Sequence, residues 1–283
     1  MKGLIVTADD FGAAPEVNAA VEMAHRQGVL TAASLMVTGP AAEGAAAVAR
    51  RNPSLAVGLH LVLVEGRPAL PASEVPDLVD HAGRFQADMA RAGAMMFFKP
   101  AARRQLEAEI AAQFQAFAAT GLTLDHVNAH KHFHLHPTIA WLVVKIGVRH
   151  GLTAARVPGE PRRVLAAIEP DDVHRPDPVM GPWTALTRRR FRRAGLLIPD
   201  QVFGLAWSGA MTAPRLAALI EALPPGLSEI YVHPATAGGF DGAAPGYRYA
   251  EELAALTAPE VMAVAKASGA RLGGFADFAR TAG

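Results

Sequence analysis

The feature that most restricts the fold of this chain is a recurring alternation. A short apolar run stops at polar residues, and a stretch with helical spacing follows. Leu4, Ile5, Val6 and Thr7 end at two acids, as a buried strand does on reaching a loop. Val17, Val21 and Ala24 then recur at helical intervals over 15–27, and Gly28 closes that segment. The same criteria predict strands over 33–37, 55–63, 124–128, 154–157 and 229–232. They predict helices over 41–51, 103–120, 137–150, 214–223 and 259–268, with a last one from 275. Strands alternating with helices imply parallel βα units. No composition break, repeat or low-complexity linker divides the chain. The expected fold class is α/β: a single distorted (β/α) TIM-like barrel with parallel strands. It occupies residues 1–283 as one catalytic domain, with irregular insertions over 66–100 and 160–204. An open doubly wound sheet is the alternative.

Composition narrows the chemistry. With 51% hydrophobic and 19% charged residues, the chain has the make-up of a soluble globular enzyme. Its formal charge of +1 supplies no field to gather nucleic acid. There is no cysteine, so disulfides, thiolate metal sites and cysteine nucleophiles are excluded. Any metal must sit on His, Asp or Glu, which favours zinc or a harder divalent ion. The first apolar run is interrupted by carboxylates too soon for a signal peptide, and no stretch is long enough to span a membrane. A cytoplasmic location is expected.

Four polar clusters fall at or just past strand ends, where parallel α/β folds gather catalytic groups. They are Asp9-Asp10, His60 in Gly58-Leu59-His60-Leu61, the run 125–136, and His233 in Tyr231-Val232-His233-Pro234. Two carboxylates leaving an apolar strand need a cationic partner or a metal. Strand neighbours point to opposite sides, so one Asp can bind metal while the other acts separately. Asp10 is assigned to the metal and Asp9 to general-base duty, although the spacing allows the reverse. His60, alone in an apolar strand, fits a metal ligand or a hydrogen-bonded core histidine. Five histidines in the eleven residues 126–136 exceed what a structural loop needs. If that segment is extended, His130, His132, His134 and His136 share one face. His130 is the preferred ligand, with His132 and His134 behind it or facing substrate.

Two histidines and one aspartate leave open positions for water and substrate, as in a catalytic metal site. Such a centre suits hydrolysis of an amide, with Asp9 as base. A separate acid must protonate the departing nitrogen; His233 is the candidate, with His132 in reserve. Arg156 is expected either to orient substrate or to tune a carboxylate, the plainer reading being a surface salt bridge.

These motifs resemble those of the YdjC-like carbohydrate deacetylases. The resemblance rests on Thr7-Ala8-Asp9-Asp10-Phe11-Gly12, Gly58-Leu59-His60-Leu61, the segment from Asp125 to His134, and His233-Pro234, in that order along nearly the whole chain. It implies a distorted (β/α) barrel and one divalent ion, zinc or magnesium with manganese or cobalt as alternatives, on Asp10, His60 and His130. It implies Asp9 as base and hydrolysis of an N-acetylated sugar to amine and acetate. Ser34-Leu35-Met36-Val37, the segment from Leu61 to Pro68, and that from Arg156 to Pro161 are similar to the hopanoid-biosynthesis-associated branch. That likeness implies an N-acetylglucosaminyl hopanoid as substrate, a soluble chitooligosaccharide being the alternative. One departure is Ala235, where the family often carries a glycine, which reaches positive φ more freely.

A lipid-linked substrate would give meaning to Met95-Met96-Phe97-Phe98 and to the arginines at 188, 189, 190, 192 and 193. Both are read as peripheral contacts with the inner face of a membrane, or else as a core plug and a solvated face. A homodimer is compatible with the sequence. A barrel metallophosphoesterase would use similar residues, but it wants two metals about 3.5–4 Å apart and cationic phosphate clamps. A sugar- or lipid-binding protein with a degenerate site would have lost Asp9 or a ligand, and neither is lost.

Overall fold

The structure, a computed structural model, describes residues 2–170 and 180–279. Its centre is a parallel sheet. β1 (Lys2–Phe11), β2 (Ala32–Leu35), β3 (Ala56–Leu61), β4 (Val127–Ala129), β5 (Gln201–Phe203) and β6 (Gly226–Val232) run in the order β4-β3-β2-β1-β6-β5, and the short β7 (Arg271–Leu272) pairs with β1. Helices α1 (Pro15–Gln27), α2 (Ala42–Arg51), α3 (Met89–Phe98) and α4 (Pro100–Ala119) fill the first crossovers. They are followed by α5 (Pro137–Gly147), α6 (Arg162–Ile168), α7 (Met180–Arg193), α8 (Ala213–Glu221), α9 (Tyr249–Thr257), α10 (Pro259–Ala267) and α11 (Phe275–Ala279).

The parallel α/β expectation is met, and the sheet is consistent with a distorted barrel whose ladder is incomplete. The regular path stops at β4 and β5. Residues 153–159, expected to supply a strand at 154–157, span the gap through isolated bridges. Val127 pairs with Ala155, Ala154 with Leu197, and Gly159 with Val202. Pro158 and Pro161 lack the backbone donors a longer ladder needs.

Alternation along the strands sorts side chains to two faces. Leu4, Val6 and Ala8 of β1 join the large core beneath the helices. Ile5 instead packs inside the curved sheet with Ala32, Ala154, Leu227 and Phe275. Continuing inward from Ile5 come Thr7 and Asp9, and from Leu227 come Glu229, Tyr231 and His233. The interior is thus apolar at the N-terminal ends of the strands and polar at their C-terminal ends.

The two insertions are more regular than expected. Residues 66–100 contain α3, whose N-cap Asp88 accepts a hydrogen bond from the Arg91 amide. Residues 160–204 contain α6, α7 and β5. Among the α7 residues whose burial is described, Thr187 and Phe191, one turn apart, are the fully buried ones, and the arginines around them mask that periodicity in the sequence.

Candidate metal centre and active site

Asp9 and Asp10 reach one site by a route that strand alternation does not predict. The β1–β2 register shifts between Ala8 and Phe11, and Asp10 adopts φ +60°. This bulge re-aims the second aspartate. Asp9 stays buried inside, while Asp10 turns so that one carboxylate oxygen, Oδ1, lies 3.3 Å from His60 Nε2 and 3.2 Å from His130 Nδ1. Burial alone would raise the Asp10 carboxyl, but His130 and His60 together hold it well below the usual carboxylate range.

Donor atoms of Asp10, His60 and His130 lie within 4.8 Å of one another, close enough to share one cation. The hydrogen bonds around His60 test whether a metal fits. Its Nδ1–H donates to Asn128 Oδ1 at 2.7 Å, which leaves Nε2 as the lone-pair nitrogen. That Nε2 is buried and has no hydrogen-bond partner. A buried imidazole with one nitrogen tied down and the other free beside a carboxylate is the donor set a divalent metal requires.

Asn128 is the hub of this arrangement. Its Nδ2 donates both to Asp9 Oδ1 at 3.1 Å and to Ser34 Oγ at 2.9 Å. Ser34 in turn donates to His126 Nε2, and His126 Nδ1–H donates to Asp125. Asp125 accepts the amides of Phe275 and Ala276 at the start of α11. Gly58 makes room for this line, because a Cβ there would come within 2.5 Å of the His126 ring and carbonyl.

Arg156 is fully buried. Its guanidinium grips both oxygens of Asp9, the Nη2–Oδ1 bond measuring 2.9 Å, and donates through Nε and Nη2 to Glu229 Oε1 at 2.9 and 2.6 Å. The ring of Tyr231 stacks 4.4 Å from the guanidinium carbon. Burial alone would push the Asp9 carboxyl up. The Arg156 charge overcomes this and, with His60 and His233 nearby, holds it well below the usual range. Arg156 therefore tunes a carboxylate, and its burial rules out the surface salt bridge.

The histidine run is not extended. Residues 130–135 form tight turns in which Lys131 and His132 take φ +52° and +54°. The four alternate histidines therefore scatter instead of sharing a face. His130 meets Asp10, and His132 Nε2 bonds the Tyr231 hydroxyl at 2.9 Å. His134, expected to stand behind the ligands or face substrate, is buried and donates from Nε2 to the Arg156 carbonyl at 2.9 Å. Burial pushes its imidazole down to about 3, so it is neutral. His233 stands at the end of β6 between the rings of Tyr231 and Tyr247, with its amide on Glu252 and its Nδ1 without a partner. Ala235 is buried and stays out of the left-handed region, so the replaced glycine leaves no backbone strain.

A model of the YdjC-like protein family matches residues 3–267. The chain belongs to that family. A carbohydrate deacetylase of Geobacillus stearothermophilus is 32% identical over 97% of each chain. A chitooligosaccharide deacetylase of Escherichia fergusonii is 34% identical, with the match covering 53% of this chain and 57% of that one. Among solved structures, a proposed cellobiose-phosphate cleavage protein of Enterococcus faecalis V583 superposes with a TM-score of 0.76 at 25% identity, covering 98% of both chains.

Two further properties of this YdjC-like site concern its surroundings. Among the described residues, the non-glycine positions with positive φ are Asp10, Glu65, Lys131 and His132. They gather near the candidate metal site: Asp10 is a ligand, Glu65 Oε2 lies 3.8 Å from His130 Nε2, Lys131 pairs with Glu65, and His132 follows in the same turn. Strained backbone collected at one place marks a functional site. Beside it opens a groove of about 490 Å³ whose walls include Lys131, His132, Phe133, Phe97, Phe98 and Trp183.

Asn128, Ser34, Glu229 and Tyr231 were given no role in the sequence reading, though each helps to build the site. The available signal was a polar residue at an inward position of an apolar strand, as in Leu227-Ser228-Glu229-Ile230.

Proposed function

We propose that this chain is a metal-dependent hydrolase that removes the N-acetyl group from an N-acetylglucosamine unit, giving the free amine and acetate. The observation that carries the reading is Asp9: a buried carboxylate, ionised by Arg156, next to a three-donor metal site that it does not join. Asp10, His60 and His130 would hold a divalent ion such as zinc or magnesium, which would supply Lewis acidity for an amide carbonyl and the attacking water. Asp9 accepts the proton of that water. Arg156 and Asn128 hold both Asp9 oxygens, so the base is aimed before substrate arrives. His233 delivers a proton to the departing nitrogen, while His132 has its Nε2 engaged by the Tyr231 hydroxyl.

For the substrate we assign N-acetylglucosaminyl hopanoid. The groove beside His132 supports this, because a carbon-lined wall next to a sugar site suits an apolar aglycone. The competing soluble chitooligosaccharide is favoured by the name of the Escherichia fergusonii relative. A metallophosphoesterase fits less well. Among the described residues one three-donor cluster is present, Arg156 is enclosed by carboxylates, and Lys131 is paired with Glu65. Incubating the protein with zinc and either substrate, then weighing the products by mass spectrometry, should show loss of one acetyl. Release of phosphate from sugar phosphates without deacetylation would refute the assignment.

A further inference from the structure

We propose that the face formed by α3, α4, α5 and α7 docks on an anionic lipid bilayer. Helix α3 presents Phe97 at 44% and Phe98 at 77% exposure, and α5 presents Trp141 at 48%. On α7, Trp183 and Leu186 are 37% and 41% exposed. Spacings of three and four residues continue that stripe through Arg190 to Arg193, so one side of α7 grades from apolar to basic.

These residues form one surface. Phe97 and Pro137 line both the groove beside Lys131 and His132 and a neighbouring hollow, whose rim carries Trp141, Arg103, Arg104 and Arg190. The carboxylate in that rim, Glu107, is already paired with Lys145, which lies 4.9 Å over the Trp141 ring. Arg103 and Arg104 are exposed and have no ion-pair partner among the described residues. With a net charge of only +1 on the whole chain, this is a local concentration of positive charge. The arginine run at 188–193 does not act as a block: Arg188 is held by the Val157 and Pro199 carbonyls, and Phe191 is core.

Exposed aromatic rings among unpaired arginines suit a membrane interface. The rings enter the headgroup boundary while the cations meet anionic lipid. A second copy of the chain is the weaker occupant. A two-fold contact would press the same patch against itself and set Arg103 and Arg104 near their equivalents. Docking here would bring the groove, whose wall includes Lys131 and His132 next to the candidate ligand His130, to the bilayer surface. It deepens the lipid-linked reading of the substrate, but its test needs no turnover.

The full chain is sedimented with vesicles of phosphatidylcholine alone or doped with phosphatidylglycerol. We expect pelleting with the anionic vesicles only, weakened by added salt. The double variant Arg103→Gln/Arg104→Gln should bind at least about tenfold more weakly, at roughly 1 kcal/mol per arginine. It should still deacetylate a water-soluble N-acetylated sugar at the wild-type rate. Phe98→Ser should also bind more weakly. Absence of pelleting, equal pelleting with both vesicles, or unchanged binding by the variants would overturn the proposal. So would a dimer by light scattering that Phe98→Ser dissociates.

Discussion

Two ends of the same enclosed interior solve the burial problem differently. At the N-terminal ends of the strands, Ile5, Ala32, Ala154, Leu227 and Phe275 pack as a dry apolar plug. Two to four residues further along, the same face carries Thr7, Asp9, Glu229, Tyr231 and, from its neighbours, Arg156 and Asn128. The plug is held by dispersion and exclusion of water, without orientation to defend. The upper end is held by directional bonds, and a buried charge there is tolerable only while its partner remains. Stability and chemistry are thus separated by two to four strand residues.

The largest effect that would sharpen this contrast is on rate. Asp9→Asn should lower kcat by about 10²- to 10⁴-fold while metal content, read by ICP-MS, stays the same. Wild-type turnover in that variant would remove Asp9 as base. Next, Arg156→Met strands Asp9 and Glu229 as buried carboxylates. Denaturant unfolding should report a loss of about 3–5 kcal/mol, together with lost activity. In the plug, Ile5→Ala should cost about 2–5 kcal/mol yet leave kcat unchanged, since no polar partner is disturbed. A large fall in kcat would show that the two ends are coupled after all.

Asn128→Ala releases the imidazole of His60, and zinc affinity measured by competition with a chelator should fall about 10- to 100-fold. The most gradual effect is a pH slope. The folded-state value of His134, about 3, lies below the ordinary 6.5, so between them the unfolded chain holds a proton that the native state refuses. Stability is therefore full above pH 6.5 and declines as pH falls toward 3, by at most about 1.4 kcal/mol per unit. His134→Gln, which keeps a donor for the Arg156 carbonyl, should flatten that slope in urea titrations. An identical slope would assign the acid sensitivity to other groups.

His60 was legible because a polar residue at an inward position of an apolar strand stands out without any partner in view. Asp9 and Asp10 were legible as a pair, but alternation placed them on opposite sides, and the bulge with its left-handed Asp10 brought both to the centre. The histidine run was recognised as chemistry, whereas its directions were missed because Lys131 and His132 leave extended backbone. The distorted barrel was legible from the βα alternation, but not where its ladder thins: proline-flanked residues 153–159 contribute bridges where a strand was expected.

The sequence by itself determined the parallel βα order, the apolar stripes and the donor types available at the strand ends. Those follow from periodicity and side-chain chemistry, which act over a few residues. The tertiary structure alone decided the partners. Arg156 meets Asp9 across 147 residues and Glu229 across 73, and Asn128 reaches Asp9 across 119. Such pairs form only when curvature of the sheet brings distant strands to one interior, where the low dielectric makes each correct partner indispensable.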